Sequence, residues 1–385
     1  MFLIGTRKSM KIEMVDLKGQ YLHIKEEIEE ATLSVMREAT YINGPDVSKF
    51  ASELSHYLNG AFVISCANGT DALQIAMMSL DLKPGDEVII PSFTYVATAE
   101  VIGLLKLTPV MVDVDPDSFN VSVDSIKEAI TSKTKAIVPV HLFGQCADME
   151  PILALAKENG LFVIEDTAQA IGAEYKFRDG KTKKAGTMGH IGCTSFFPSK
   201  NLGCYGDGGA IFTTDSELAN KIRMIANHGQ VKKYVHKYIG INSRLDTLQA
   251  AILRIKLRHL DSYSFARSKA ADKYDTLLNG IEGLIIPSRQ NYSTHVFHQY
   301  TLKINGGKRD ALKKNLEKAG IPTMIYYPIS LSDQEAYQAI GKVVGNLCVT
   351  KALCGSVLSI PMHTELEDEQ IKFITNKIST FLNHE

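Results

Sequence analysis

The sequence predicts an α/β fold with a mostly parallel central sheet and a smaller C-terminal α+β part, on three observations. Through the first two-thirds of the chain, short apolar runs of strand length alternate with segments of helical period, the rhythm of βαβ units. The run Leu161-Phe162-Val163-Ile164 is apolar without alternation, as a strand covered on both faces must be, and it ends abruptly in Glu165-Asp166. From Asp261 onward the pattern changes to a long helix through Leu278, a loop about Pro287 and an edge-like strand over 299–304. A chain of 385 residues can bury one large core and a smaller one. The expected division is an N-terminal extension over 1–14, a large domain over 15–260 and a small domain over 261–385.

Taken in order, 18–38 carries Tyr21, Ile24, Ile28 and Leu33 at helical spacing on a charged background, an amphipathic helix whose role is packing. Asn43-Gly44-Pro45 is a turn, and 47–58 is a second helix with Phe50, Leu54 and Leu58 on one side. A strand over 61–65 then runs into Asn68-Gly69-Thr70 and a helix over 72–79. That strand-to-helix turn offers backbone N–H groups and a positive helix end to a phosphate, through Gly69 and Thr70; it also reads as an ordinary capped turn. Further short strands are expected at 87–90, 109–114 and 136–140, with helices at 124–130 and 147–159 between them. Pro91 to Tyr95 is expected to open a helix. After Gly209 come a strand over 210–213, a helix over 217–225, a basic tyrosine-containing loop over 231–238 and a long helix over 247–260.

The chemistry sits in two stretches. Ser195-Phe196-Phe197-Pro198-Ser199-Lys200-Asn201-Leu202-Gly203 places one lysine between an apolar aromatic run and a glycine-rich turn. A lysine held against apolar walls loses hydration of its charged form, so its pKa falls and the free amine can attack a carbonyl. Asp166 ends its strand at the carboxyl edge of the sheet, where ligands bind in open α/β folds. An aspartate there reads as a helix cap or as a partner for the ring nitrogen of pyridoxal phosphate (PLP), whose aldehyde a lysine carries. Lys200 and Asp166 form that pair.

With Asn68-Gly69-Thr70, Pro91 to Thr98, Pro139 to Gln145, Glu165 to Gln169, Ser195 to Lys200, Gly206-Asp207-Gly208-Gly209 and Asn242 to Asp246 in this order, the chain resembles the DegT/StrS family of PLP-dependent nucleotide-sugar aminotransferases from about residue 15 to its end. The resemblance implies the PLP-dependent transferase type I fold, that of aspartate aminotransferase. It implies that Lys200 bonds the cofactor, that Gly69, Thr70 and Ser195 hold its phosphate, that Tyr95 covers the ring and that Asp166 meets the ring nitrogen. Gln169 would face the ring hydroxyl or the substrate, and Asn242 would reach across a homodimer to the partner's phosphate, making each site composite. Arg244 is a candidate for a substrate carboxylate, with an ion pair to Asp246 as the competing reading. Tyr326 and Tyr327 are candidates for the sugar nucleotide, with Tyr326 where many family members have histidine.

The resemblance further implies L-glutamate as amino donor and a nucleotide-linked keto-sugar as acceptor. Local phrases around Asn68, Gln145, Ser195 and Asn242 look most like the branch acting on UDP-2-acetamido-2-deoxy-3-keto-glucuronic acid, for lipopolysaccharide or surface-polysaccharide sugars. The competing readings are a 3- or 4-aminotransferase of a dTDP- or UDP-keto-6-deoxyhexose, a PLP-dependent sugar dehydratase, in which histidine replaces the lysine, and a non-enzymatic protein of the same fold. A formal net charge of −1, from 42 basic and 43 acidic residues, gives no overall field for nucleic acid or an anionic membrane. Six cysteines without CxxC pairs indicate reduced thiols in the cytoplasm rather than disulfides or a metal site, and no uncharged apolar run approaches the ~20 residues of a membrane span.

Overall fold

The computed structural model describes residues 11–384. Eight strands form the central sheet in the order Phe62–Cys66, Gly209–Thr213, Ile191–Ser195, Phe162–Asp166, Thr134–Ile137, Glu87–Pro91, Thr108–Val112, Lys342–Val343. Only Gly209–Thr213 runs against its neighbours, so the sheet is mostly parallel, as expected. Alternate residues of each strand feed two cores. Val88, Ile90, Ala136 and Ile164 pack beneath the helices Gly69–Ser79, Ala97–Leu104 and Ser216–Ala226, whereas Ile89, Ile137 and Val163 pack beneath Val123–Ala129 and Met149–Asn159. A sheet buried on both faces explains why its strands read as unbroken apolar runs.

Several elements differ from expectation. The first amphipathic segment is two helices, Leu17–His23 and Lys25–Glu38, broken at Ile24. Ile24 and Ile28 are buried there, but Leu33 stays exposed. Tyr95 precedes its helix, which begins only at Ala97. The basic loop folds into a small hairpin of Gln230–Lys232 and Val235–His236. Strand Tyr300–Ile304 is central rather than an edge, pairing with both Leu284–Ile285 and Val357–Ile360; its partners lie far along the chain, so local pattern could not place them.

Helix Thr247–Leu278 is continuous across residue 260. Its first half packs with Phe50, Leu54 and Phe196, and its last turns join the core of the three-stranded sheet with Arg309–Lys318 and Asp368–His384. Of the expected extension, 1–10 lie outside the described residues, while Ile12 is buried in that second core and the Met14 carbonyl accepts from the Met362 amide. All six cysteines are free. Among the described residues no helix is long and apolar enough to cross a membrane.

Candidate active site

The carboxyl edge of the sheet gathers the site. Ser195 pairs with Gly209, and Gly209 pairs with Cys66, so the ends of three adjacent strands bring Ser195 against the turn Asn68-Gly69. The approach is close. A Cβ on Gly69 would lie 2.7 Å from the Ser195 Cβ, and one on Gly209 would lie 2.4 Å from the Asn68 carbonyl oxygen. Asn68 caps the helix by accepting from the Asp71 amide at 2.8 Å, which leaves the amides of Gly69 and Thr70 ahead of any intrahelical acceptor. Free amides, the Ser195 hydroxyl and the positive helix end make an anion cradle.

This cradle is one end of a cavity of about 460 Å³. Gly69, Thr70, Tyr95, Asp166, Gln169, Ser195, Lys200, Tyr326 and Tyr327 all line it. Glu165 and Asp166 take different tasks because neighbouring strand residues face opposite sides of the sheet. Glu165 is sealed in the core, where it accepts from the amides of Gly186, Met188 and Gly189 and from His141 Nε2. Asp166 faces the cavity. One of its oxygens accepts from the Thr98 hydroxyl at 3.0 Å and the other from the Ala168 amide at 3.1 Å.

Burial pushes the Asp166 carboxyl above the usual range, against the opposing pull of the Ala168 N–H, Lys200, the Thr98 hydroxyl and His141. Lys200 moves the other way. Burial lowers its amine to about 8, although the Asp166 charge raises it. The side chain is half-buried, walled by protein but open to the cavity, so the free amine, a minor form at pH 7, becomes the major one above about pH 8.

Gln169 is held at both ends: the Phe143 amide donates to its Oε1 at 2.8 Å, and its Nε2 donates to the Tyr327 hydroxyl at 3.1 Å. Tyr327 in turn packs edge-on to Phe93 and tilted against Tyr95. Tyr95 is 58% exposed, so it is a cavity wall and not a core aromatic.

Asn242 and Arg244 do not line this chain's cavity. Asn242 is exposed and Arg244 half-buried, on either side of Ser243, whose hydroxyl accepts from the Ala67 amide at 3.0 Å. Among the described residues Arg244 makes no ion pair, so the alternative of a bridge to Asp246 is not formed. Thr98, which bonds Asp166, and the cavity-lining Asp207, His298 and Gln299 were not among the expected site residues. Thr98 stood inside a quoted motif, in the first turn of a helix beside the sheet edge; His298 and Gln299 carried no local signal.

A sequence profile described as the DegT/DnrJ/EryC1/StrS aminotransferase family matches residues 22–379. The chain is 46% identical to a UDP-2-acetamido-2-deoxy-3-oxo-D-glucuronate aminotransferase of Pseudomonas aeruginosa, over 94% of this chain and 98% of that one. It is 45% identical to a pleiotropic regulatory protein of Geobacillus stearothermophilus, over 97% and 100% of the two chains. It is 43% identical to a UDP-N-acetyl-3-dehydro-alpha-D-glucosamine 3-aminotransferase of Acidithiobacillus ferrooxidans, over 97% and 98%. Among solved structures, a DegT/DnrJ/EryC1/StrS aminotransferase from Brucella abortus matches with a TM-score of 0.92 at 41% identity, over 96% and 99% of the chains. The S. venezuelae DesV structure in complex with a ketimine intermediate also matches at 0.92, with 37% identity, over 97% and 98%.

Proposed function

The chain belongs to the DegT/DnrJ/EryC1/StrS aminotransferase family, and we propose that it moves the amino group of L-glutamate onto the 3-keto carbon of UDP-2-acetamido-2-deoxy-3-oxo-glucuronic acid. The observation that carries this reading is the meeting of Lys200 and Asp166 in one cavity, in a chain 46% identical along nearly its whole length to an aminotransferase named for that sugar. Its cofactor is pyridoxal phosphate, as in its family. The residues fit it: the cradle closed by the Gly69–Ser195 approach suits the phosphate, Asp166 suits a protonated ring nitrogen and Lys200 the aldehyde. Bound there, the cofactor supplies an electron sink for the carbon that loses its proton.

The chain's own residues do the rest. Freed from the cofactor, the Lys200 amine would accept the proton that the substrate carbon loses and hold it at Nζ for return, so one residue would anchor the cofactor and serve as general base and acid. Asp166, steadied by Thr98 and Ala168, keeps a negative charge against the ring nitrogen. Gly69, Thr70 and Ser195 hold the phosphate, Tyr95 walls the ring, Gln169 orders Tyr327, and Tyr326 and Tyr327 border the sugar side of the cavity.

Both substrates and the cofactor are anions, yet Lys200 is the one lysine or arginine of this cavity, which also holds Asp166 and Asp207. Further cations must come from outside the chain's own lining. That imbalance supports a homodimer in which Asn242 and Arg244 serve the partner's cavity, Asn242 toward the phosphate and Arg244 toward a carboxylate. Tyr41 and Ile42, 47% and 49% exposed, support an interface there: Ile42 bridges to Asp246 beside those two residues. A cytoplasmic enzyme feeding surface-polysaccharide synthesis completes this reading, in keeping with six cysteines that are all free.

The test is spectral. Glutamate should convert the cofactor of the purified protein to its amino form, and UDP-2-acetamido-2-deoxy-3-oxo-glucuronate should restore it where dTDP-keto-6-deoxyhexoses do not. Restoration by the deoxyhexoses alone would move the substrate assignment. No response to any amino donor would favour the regulatory reading that the Geobacillus relative raises.

A further inference from the structure

We propose that His298 is a positioning residue for the Lys200 amine, accepting one of its N–H hydrogens whenever that amine is free and so turning the nitrogen lone pair toward the cavity. This rests on the reading of Lys200 given above. No proton leaves the amine in this contact; Lys200 alone exchanges a proton with the substrate.

His298 and Lys200 line the same cavity. The imidazole is 6% exposed, and its Nδ1 is sealed from solvent without a partner among the described residues. Such a nitrogen is costly to leave unpaired, so a native structure that keeps one calls for a partner that comes and goes. The free Lys200 amine is a donor of that kind. Asp166, which already accepts from Thr98 and Ala168, is the residue assigned above to the ring nitrogen and so has another task.

The two carriers are fixed to one another, so the lysine side chain is the part left to move. Asn201, next to Lys200, donates its Nδ2 hydrogen to the Val296 carbonyl at 2.8 Å. Arg267 donates to the carbonyls of Phe297 at 3.1 Å and Met362 at 2.9 Å. Gly144, at φ +111°, brings its backbone so close that a Cβ there would lie 2.9 Å from the amides of Phe297 and His298. Burial, with Lys200 and Arg267 nearby, drives protonation of His298 well below its ordinary range. The ring is therefore neutral and not a competing cation, and with its hydrogen on Nε2 it presents Nδ1 as the acceptor the proposal requires.

The test compares the near-isosteric His298→Leu and His298→Asn, the second keeping a polar atom near the place of Nδ1. In single-turnover reaction of the holoenzyme with glutamate, His298→Leu is expected to be slower by about 10- to 100-fold at unchanged half-saturation, and His298→Asn to stay within about threefold of the parent. A second readout needs no turnover. In the cofactor-free protein, acetic anhydride labelling of Lys200, followed by mass spectrometry, should change rate in His298→Leu and match the parent in His298→Asn. If His298→Leu does not fold, His298→Ala supplies the same contrast. Equal slowing of both variants with raised half-saturation for glutamate, and labelling like the parent, would overturn the proposal. Failure of the Lys200 reading itself looks different: Lys200→Ala would still carry out the glutamate reaction.

Discussion

The Thr98 hydroxyl donates to Asp166 Oδ2 at 3.0 Å, from the first turn of a helix onto the end of the sheet's central strand. Burial raises the Asp166 pKa, and this bond is one of the few forces holding it down. Thr98→Val keeps the shape and removes the donor. A bond to a charged acceptor contributes about 1.5–3 kcal/mol, so the glutamate reaction should slow by about 10- to 100-fold, with Asp166→Asn slower still. An unchanged rate in Thr98→Val would show that Asp166 does not depend on it.

The Lys200 amine, lowered to about 8 by burial, sets a pH dependence. Only the free amine captures an aldehyde, so the rate at which cofactor-free protein takes up pyridoxal phosphate should rise with pH and level off above about 8. Stability follows the same shift. An unfolded chain holds its lysine proton up to a higher pH than the folded one, so folding gains from rising pH between about 8 and the ordinary lysine value of 10.5. Lys200→Met should therefore raise the melting temperature of the cofactor-free protein at pH 7, and the gain should shrink toward pH 10.

Gly69 is required by contact, not by backbone angle. A methyl group there would meet the Ser195 side chain at 2.7 Å and close the cradle. Gly69→Ala should weaken binding of pyridoxal phosphate by about 10-fold or more and lower stability by about 1–3 kcal/mol, both readable by titration and thermal melts.

If Arg244 serves the partner's cavity, Lys200→Ala and Arg244→Ala subunits, each inactive as a homodimer, should complement one another. Random mixing gives half heterodimers, each with one intact site of two, hence roughly a quarter of parental activity in a symmetric dimer. No recovery after verified exchange of subunits would place Arg244 in its own chain's site or in neither.

Much of this site was legible because its chemistry is concentrated where the sheet ends. Lys200 between aromatic and glycine runs, and Asp166 closing an apolar strand, announce themselves by residue type and position. What local pattern does not carry is the division of labour between Glu165 and Asp166, which the facing of the strand decides, and the arrival of Thr98 and His298, which depends on distant segments packing together. The same limit governs strand Tyr300–Ile304, read as an edge because its partners at Leu284–Ile285 and Val357–Ile360 are remote in sequence. The break at Ile24 is likewise tertiary, since Ile24 and Ile28 bury against Ile252 and Ile255 of the long helix.

The most direct test of the account is to load the protein with pyridoxal phosphate, reduce it with borohydride, digest it and locate the modified lysine by mass spectrometry. One phosphopyridoxyl group per chain is expected, on Lys200, and none in Lys200→Ala. Stoichiometric modification of another lysine in the native protein, or no stable adduct under saturating cofactor, would contradict it.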